Sequence, residues 1–164
     1  MSRLMHMHES CIFGAMSKID PTESTVNAWA RLIRAQTKVL DAVEEDLKVA
    51  GFPPLAWYDV LLELRRTDGE GLRPMELETR LLLAQHNVSR LIDRMDAKNL
   101  VKKKRAVDDG RGQLVEMTEA GRDLLRRMWP VYRRAIQRHM GSKLDAGETE
   151  RLAELLGKLL VSGP

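Results

Sequence analysis

The sequence predicts a mainly α-helical chain with a single two-stranded β-hairpin. Apolar residues recur at helical spacing along most of its length, most regularly near the two ends. The exception is the segment 101–117, where two short runs flank the glycine-containing stretch 108–112. Glycines permit a tight turn there, so the two runs are expected to pair as antiparallel strands.

Length and charge fit one domain, or a small domain with oligomerisation elements. The chain has 164 residues and a formal net charge of +3. Residues 73–111 hold 10 Lys or Arg against 6 Asp or Glu, whereas residues 1–72 hold 8 against 11. Such a local basic excess is typical of a surface that contacts phosphates.

Cysteine usage and hydropathy favour the cytoplasm. The single cysteine, Cys11, excludes an intrachain disulfide framework and suits a reducing compartment. No apolar run exceeds four residues, so no transmembrane helix and no membrane partner are predicted. We expect residues 1–19 to form a flexible arm, because they show little periodicity and lack the apolar core of a signal peptide.

The first predicted helix spans residues 20–50. Asp20 is the expected cap, with Pro21 at the first helical position, and the segment 51–54 ends the helix. Its apolar residues follow a heptad repeat, which is longer than the core of a small domain requires. A long core helix is one explanation, and we favour a helix shared across a dimer interface. The repeat comprises Val26, Trp29, Ile33, Leu40, Val43, Leu47 and Ala50, with Gln36 as its polar member.

Three further helices are predicted over about 55–66, 74–83 and 84–99, the second opened by Pro74. In the third, Val88, Leu91, Ile92 and Met95 fall on one face. Its N-terminus is polar, and such a helix end fits the major groove, where Gln, Asn and Arg pair with base edges. A solvated face is the alternative, but a basic hairpin follows directly. The predicted DNA contacts are Gln85, His86, Asn87, Ser89 and Arg90.

The hairpin has predicted strands at 101–107 and 113–117. Side chains alternate between the faces of a strand, so only some of its four consecutive cations can reach one duplex. A solvated edge strand is the alternative explanation. Arg111, at the tip, could enter a minor groove, and Asp109 could orient its guanidinium. The predicted DNA contacts of the hairpin are Lys102, Lys103, Lys104, Arg105, Asp109 and Arg111.

Two amphipathic helices are predicted at the C-terminal end. The first begins at about Thr118 and reaches Gly141, with a kink expected at Pro130. The second begins at the capping box formed by Asp145 and Glu148. Together with the first helix of the chain, they are predicted to hold a dimer through Trp29, Ile33, Leu40, Leu152, Leu156 and Leu159.

Several of these segments resemble the MarR family of bacterial transcriptional regulators. The resemblance is carried by 88–95 (VSRLIDRM), 99–101 (NLV), 109–111 (DGR) and 115–121 (VEMTEAG), and 57–64 (WYDVLLEL) is similar to the family's second helix. It covers about residues 25–160. Asn99 stands where the family usually has Gly, and Asn tolerates the left-handed backbone required there. Met95 and Met117 replace Leu, which is a conservative change.

The resemblance implies a winged helix-turn-helix lobe with the hairpin as its wing, plus N- and C-terminal helices that form a dimerisation region. The expected divisions are an arm at 1–19, a dimerisation helix at 20–50, a DNA-binding lobe at 51–118 and dimerisation helices at 119–164. The implied function is a homodimeric regulator, expected to be a repressor, on a pseudo-palindromic operator in double-stranded DNA. An unidentified small-molecule effector is expected to modulate its affinity.

Other functions are less well supported by the sequence. A protein–protein adaptor that keeps the winged fold without binding DNA is the alternative, but the basic strand and Arg111 are present. An enzyme is disfavoured because no phosphate-binding loop or nucleophile elbow occurs, so no catalysis and no cofactor are predicted. Redox sensing by Cys11 is disfavoured because it has no basic neighbour in the sequence. No metal site is predicted, although His6, His8 and Cys11 lie close together in the sequence.

Overall fold

The computed structural model describes residues 20–81, 87–105 and 112–161. In these ranges the chain is mainly helical with one two-stranded antiparallel sheet, which confirms the predicted winged helix-turn-helix fold class. The predictions for residues 1–19, 82–86 and 106–111 lie outside the described residues. The elements are α1 (Glu23–Val49), α2 (Leu55–Arg65), α3 (Pro74–Arg80), α4 (Val88–Ala97), β1 (Val101–Arg105), β2 (Gln113–Met117), α5 (Glu119–His139) and α6 (Ala146–Leu160), with a 3-10 turn (Gly141–Lys143) before α6.

The described chain divides at Lys38 into two compact units. The first holds residues 20–38 and the second residues 39–161, and α1 runs through the boundary. Helix α1 begins at Glu23, two residues later than predicted. Thr22 rather than Asp20 caps it, because Thr22 Oγ1 accepts a hydrogen bond from the amide of Thr25 (3.2 Å). Three large apolar residues of α1 in the first unit are exposed, namely Val26, Trp29 (64%) and Ile33.

The hydrophobic core of the second unit lies between α2, α3, α4, α5 and the base of the β-hairpin. The end of α1 contributes Val43 and Leu47 to this core. The C-terminal part of the α1 heptad therefore serves the core of its own chain. The largest fully buried side chains are Leu47, Val60, Leu61, Leu77, Val88, Leu91, Ile92, Met95, Val101, Val115 and Met128.

Helix α5 is joined to the base of the hairpin through its first turn. Thr118 Oγ1 accepts from the amide of Gly121 (3.1 Å) and donates to the carbonyl of Asn99 (2.7 Å). A Cβ on Gly121 would lie 2.2 Å from the carbonyl oxygen of Leu100. Thr and Gly at this spacing therefore let α5 pass directly against the end of α4. Further along, α5 continues through Pro130 without a break.

Helix α6 packs little apolar surface within the described chain. Its predicted capping box is confirmed: the Glu148 amide donates to Asp145 Oδ1 (2.8 Å) and the Asp145 amide donates to Glu148 Oε2 (3.0 Å). None of its residues is buried, and Leu159 is 69% exposed. No helix among residues 20–81, 87–105 and 112–161 is long and apolar enough to span a membrane.

Candidate nucleic-acid interface

Helices α3 and α4 form the helix-turn-helix, and α4 is the candidate recognition helix. The predicted inner face of α4 is confirmed, since Val88, Leu91, Ile92 and Met95 are all buried. The opposite face presents Ser89, Arg90, Asp93 and Arg94 to solvent. Predicted contacts Gln85 and His86 lie outside the described residues.

Asn87 has a structural role that the sequence interpretation missed. It is the N-cap of α4, and its Oδ1 accepts a hydrogen bond from the Arg90 amide (2.9 Å). Asparagine is among the preferred N-cap residues, so the sequence did contain a signal from which this capping role could have been predicted. The helix thus engages one lone pair of the side-chain oxygen, and the amide NH₂ group and the second lone pair can serve the predicted base contact.

The C-terminus of α4 directs the chain into the wing. Asn99 has φ +57°, which is the left-handed conformation expected at this position. The Leu100 amide donates to the Met95 carbonyl (3.0 Å) and the Asn99 amide to the Asp96 carbonyl (2.8 Å). This pair of bonds is the Schellman motif, and it turns the backbone sharply so that β1 starts at Val101.

The register of the hairpin determines where its four cations lie. Strand β1 is described from Val101 to Arg105, its predicted continuation to residue 107 lies outside the described residues, and β2 matches the prediction. Lys103 lies opposite the buried Val115 and shares a strand face with the buried Val101. Lys102 and Lys104 lie on the other face, where Lys102 is opposite Glu116.

Two of the four cations are engaged in ion pairs. Lys103 Nζ pairs with Asp93 Oδ1 of α4, and Lys104 Nζ pairs with Glu116 Oε2 (2.7 Å). Lys102 and Arg105 are exposed and form no ion pair within the described part of the chain. These two are therefore the cations of β1 most readily available to phosphates. Asp109 and Arg111 of the predicted tip lie outside the described residues.

The base of the wing is anchored to the rest of the lobe by a contact that the sequence did not indicate. Leu72 and Val115 form an antiparallel bridge, with N–O distances of 3.0 and 2.9 Å. The preceding Gly71 has φ +78°, and a Cβ there would lie 2.8 Å from the Val115 carbonyl oxygen. Glycine is thus required for this close approach.

An aromatic cluster on α2 and α5 was also missed. Tyr58 stacks on Trp129 with ring centroids 6.4 Å apart, and Tyr132 contacts Tyr58 edge-on at 5.1 Å. Burial raises the pKa of Tyr132 above its ordinary value, and the nearby Tyr58 and Asp59 raise it further. Burial also raises the pKa of Tyr58, although Arg65 opposes this. The cluster packs α5 against α2.

No metal centre is formed by the part of the chain that the structure describes, since it contains no suitable group of three His, Cys, Asp or Glu side chains.

The predicted dimerisation residues differ in exposure. Trp29 and Ile33 are exposed, whereas Leu40 packs partly against the core of its own chain. Leu152 and Leu156 are half-buried and Leu159 is exposed.

Comparisons with known proteins agree with this architecture. A model of the MarR family matches residues 50–112, which contain the helix-turn-helix and most of the wing. The regulator YkoM of Bacillus subtilis, named as an uncharacterised HTH-type transcriptional regulator, is 27% identical over 85% of this chain and 88% of its own length. The transcriptional repressor MprA of Escherichia coli is 24% identical over 76% of this chain and 70% of its own length.

Solved structures share the fold. Sco3205 of Streptomyces coelicolor, a MarR family regulator solved in complex with DNA, has a TM-score of 0.75 and 23% identity, with 85% of this chain and 87% of that chain covered. BpsR of Bordetella bronchiseptica, whose DNA binding is regulated by 6-hydroxynicotinic acid, has a TM-score of 0.74 and 23% identity, with 88% and 100% covered. The family match over residues 50–112, the relatives and the shared winged fold together support a MarR-family winged helix-turn-helix transcriptional regulator.

Proposed function

We propose that this protein binds a pseudo-palindromic DNA operator as a homodimer, represses transcription from it, and is released by a small-molecule effector. The observation that carries the proposal is the exposed polar face of α4 beside a basic wing strand, both on one lobe. A helix in the major groove and a wing beside it hold a duplex by two grooves. Such a regulator would work in the cytoplasm, where the chromosome lies.

The contacts to DNA divide into two classes. Gln85, Asn87 and Arg90 would set sequence preference, since their side chains can pair with base edges, with His86 and Ser89 beside them. Lys102 and Arg105 would contact phosphates without first breaking an ion pair, because neither is ion-paired among the described residues. Lys104 would do so after leaving Glu116. Arg111, oriented by Asp109, would enter the minor groove at the wing tip.

Dimerisation is supported by apolar side chains that the described chain leaves exposed. In residues 20–38 these are Val26, Trp29 and Ile33. In residues 39–161 they include Leu155, Leu159 and Leu160 of α6. A symmetric dimer would present two copies of α4 to half-sites about one helical turn apart, ~10 base pairs. Val43, Leu47 and, in part, Leu40 serve the chain's own core, so we assign the α1 contact chiefly to its N-terminal half.

Repression and effector control are supported by the relatives. MprA is named as a repressor, and BpsR responds to 6-hydroxynicotinic acid. An effector would act by binding more tightly to one spacing of the two DNA-binding lobes than to another. The effector of this protein is a small molecule of unassigned structure.

A gel-shift experiment with the DNA upstream of the protein's own gene tests the proposal. The parent protein should bind this duplex more tightly than random DNA of equal length, and binding should weaken as salt rises. Arg111→Ala should weaken binding strongly and leave thermal stability nearly unchanged, and Asp109→Ala should have a smaller effect of the same kind. A parent protein that binds neither duplex would favour the adaptor alternative, and unchanged binding by Arg111→Ala would remove the wing tip from the interface.

A further inference from the structure

Lys103 occupies the inner face of the wing strand, whereas Lys102 and Lys104 lie on the outer face. It shares that face with Val101 and lies opposite Val115, and both valines are fully buried. Its side chain is 25% exposed, against 58% for Lys104 on the outer face. The aliphatic part of Lys103 therefore lies over the edge of the core, while its ammonium group pairs with α4.

The ammonium group of Lys103 pairs with the carboxylate of Asp93 in the middle of α4. Asp93 is on the exposed face of α4, next to Arg90 and Arg94. Between the described residues of α4 and β1, this is the only polar side-chain contact. It therefore links the candidate recognition helix directly to the wing.

A two-stranded ribbon needs such a link if its direction is to be fixed. Isolated two-stranded hairpins are marginally stable in water. One side of this ribbon is held by the bridge from β2 to Leu72. The other strand, β1, has no backbone pairing on its outer edge within the described ranges. The ion pair to α4 restrains this second strand.

We infer that Asp93 and Lys103 are a positioning pair that sets the angle between the wing and α4, so that both can engage the same duplex. The inference rests on the proposed DNA-binding function and deepens it. It assigns Lys103 no phosphate contact. It also assigns Asp93 a favourable role in DNA binding, although a carboxylate on this surface repels phosphates.

The sign of one mutational effect tests the inference. Asp93→Ala removes a negative charge from the DNA-facing side, and simple charge repulsion predicts tighter binding. A positioning role predicts weaker binding instead, by about threefold to tenfold on both operator and random DNA. Asp96→Ala is the matched control, because Asp96 is exposed on the same helix and has no ion pair among the described residues. If Asp93→Ala binds as tightly as Asp96→Ala, the inference is wrong.

A double-mutant cycle separates positioning from direct contact. Lys103→Met should weaken binding about as much as Asp93→Ala, and the double variant should be no weaker than either single one. Additive losses would overturn the inference, and a loss confined to the operator would show that Asp93 contacts a base. Lys103→Arg keeps the pair and should bind like the parent. Exposed ion pairs contribute little stability, so all variants should melt close to the parent temperature.

Hydrogen exchange on the free protein gives a readout that does not depend on DNA. Amides of β1 should exchange faster in Asp93→Ala than in Asp96→Ala, because the outer strand has lost its restraint. Equal exchange in the two variants would count against the positioning role. A parent protein that binds neither the upstream duplex nor random DNA would instead sink the proposed function, and the exchange result would still stand on its own.

Discussion

Asn87 shows how one side chain can serve both the fold and the interface. Its side-chain oxygen caps α4, and its amide NH₂ group remains available to a base. The two roles can be separated, because serine also caps helices but has no amide. The same reasoning applies to the cations of β1, where pairing inside the protein decides which are available to DNA.

We expect Asn87→Ser to keep the stability of the parent and lose discrimination between operator and random DNA. Asn87→Ala should lose the cap as well, at a cost of about 1 kcal/mol of unfolding free energy. Urea unfolding and binding to both duplexes measure the two effects. If binding falls only in proportion to stability across the two variants, Asn87 is a cap and not a base contact.

Glu116→Gln should tighten binding to all DNA sequences. Glu116 holds Lys104 in an ion pair, so its neutralisation frees a cation and removes a repulsive charge. The expected gain is a few-fold, with a salt slope steeper by up to about 0.9 for one added phosphate contact. Asp96→Asn is the control, since it changes net charge equally without releasing a lysine. A gain no larger than that of the control would mean that Lys104 does not reach phosphate.

At the scale of elements, the junction between α4, the wing and α5 is held by close backbone contacts. Asn99 turns the chain out of α4, Thr118 binds its carbonyl, and Gly121 lets α5 approach Leu100. Further along α5, the aromatic cluster packs it against α2. The wing and α5 are thus positioned by the same few residues.

Gly121→Ala should destabilise the protein by about 1–3 kcal/mol or more, because its Cβ would lie 2.2 Å from the Leu100 carbonyl oxygen. Gly157→Ala is a matched control in α6, where nothing lies within 4 Å. It should stabilise its helix by about 0.5–1 kcal/mol. Urea unfolding, carried out at the same protein concentration for the parent and both variants, measures these changes in unfolding free energy. Similar stabilities for the two variants would contradict the close approach.

From the raised pKa values of Tyr58 and Tyr132 we expect the protein to lose stability at alkaline pH. Their pKa values are raised above 10.0 in the folded protein, so the folded state holds these protons more tightly than the unfolded state. Their stabilising contribution is therefore complete below pH 10 and is lost as the pH rises through the folded-state values. Tyr132→Phe should lose less stability than the parent over about pH 9–11 in thermal melts. An equal loss of stability in the parent and in Tyr132→Phe would show that ionisation of Tyr132 does not cause the alkaline destabilisation.

At the scale of the whole molecule, the exposed apolar residues predict self-association. Trp29, Ile33 and the leucines of α6 lie on surfaces that a soluble monomer rarely leaves open. The core of residues 39–161 is complete without them.

Light scattering should show a dimer at micromolar concentration, and Trp29→Glu should weaken it by placing a charge in the interface. Val49→Glu is the control, because Val49 lies on the same helix, is exposed and falls outside the predicted interface. A stable monomer of the parent protein, or equal weakening by both variants, would contradict the assignment of α1.

Local signals in the sequence determined most of the elements. The left-handed Asn99, the capping box at Asp145 and the strand β2 were all predictable, because each depends on residues within a few positions of one another. The inner face of α4 followed from its apolar period alone. The cap of α1 was misplaced because Asp20 and Thr22 are both suitable capping residues, and only the backbone path selects Thr22.

The tertiary structure alone decided which cations are available and how the wing is held. The pairing of Lys103 with Asp93, the bridge from Leu72 to Val115 and the contact of Tyr58 with Trp129 join residues on different elements. Such contacts depend on strand register and on the direction of each side chain after packing. The four cations of β1 cannot be distinguished from the sequence. In the folded protein, packing places Lys103 in an ion pair with α4.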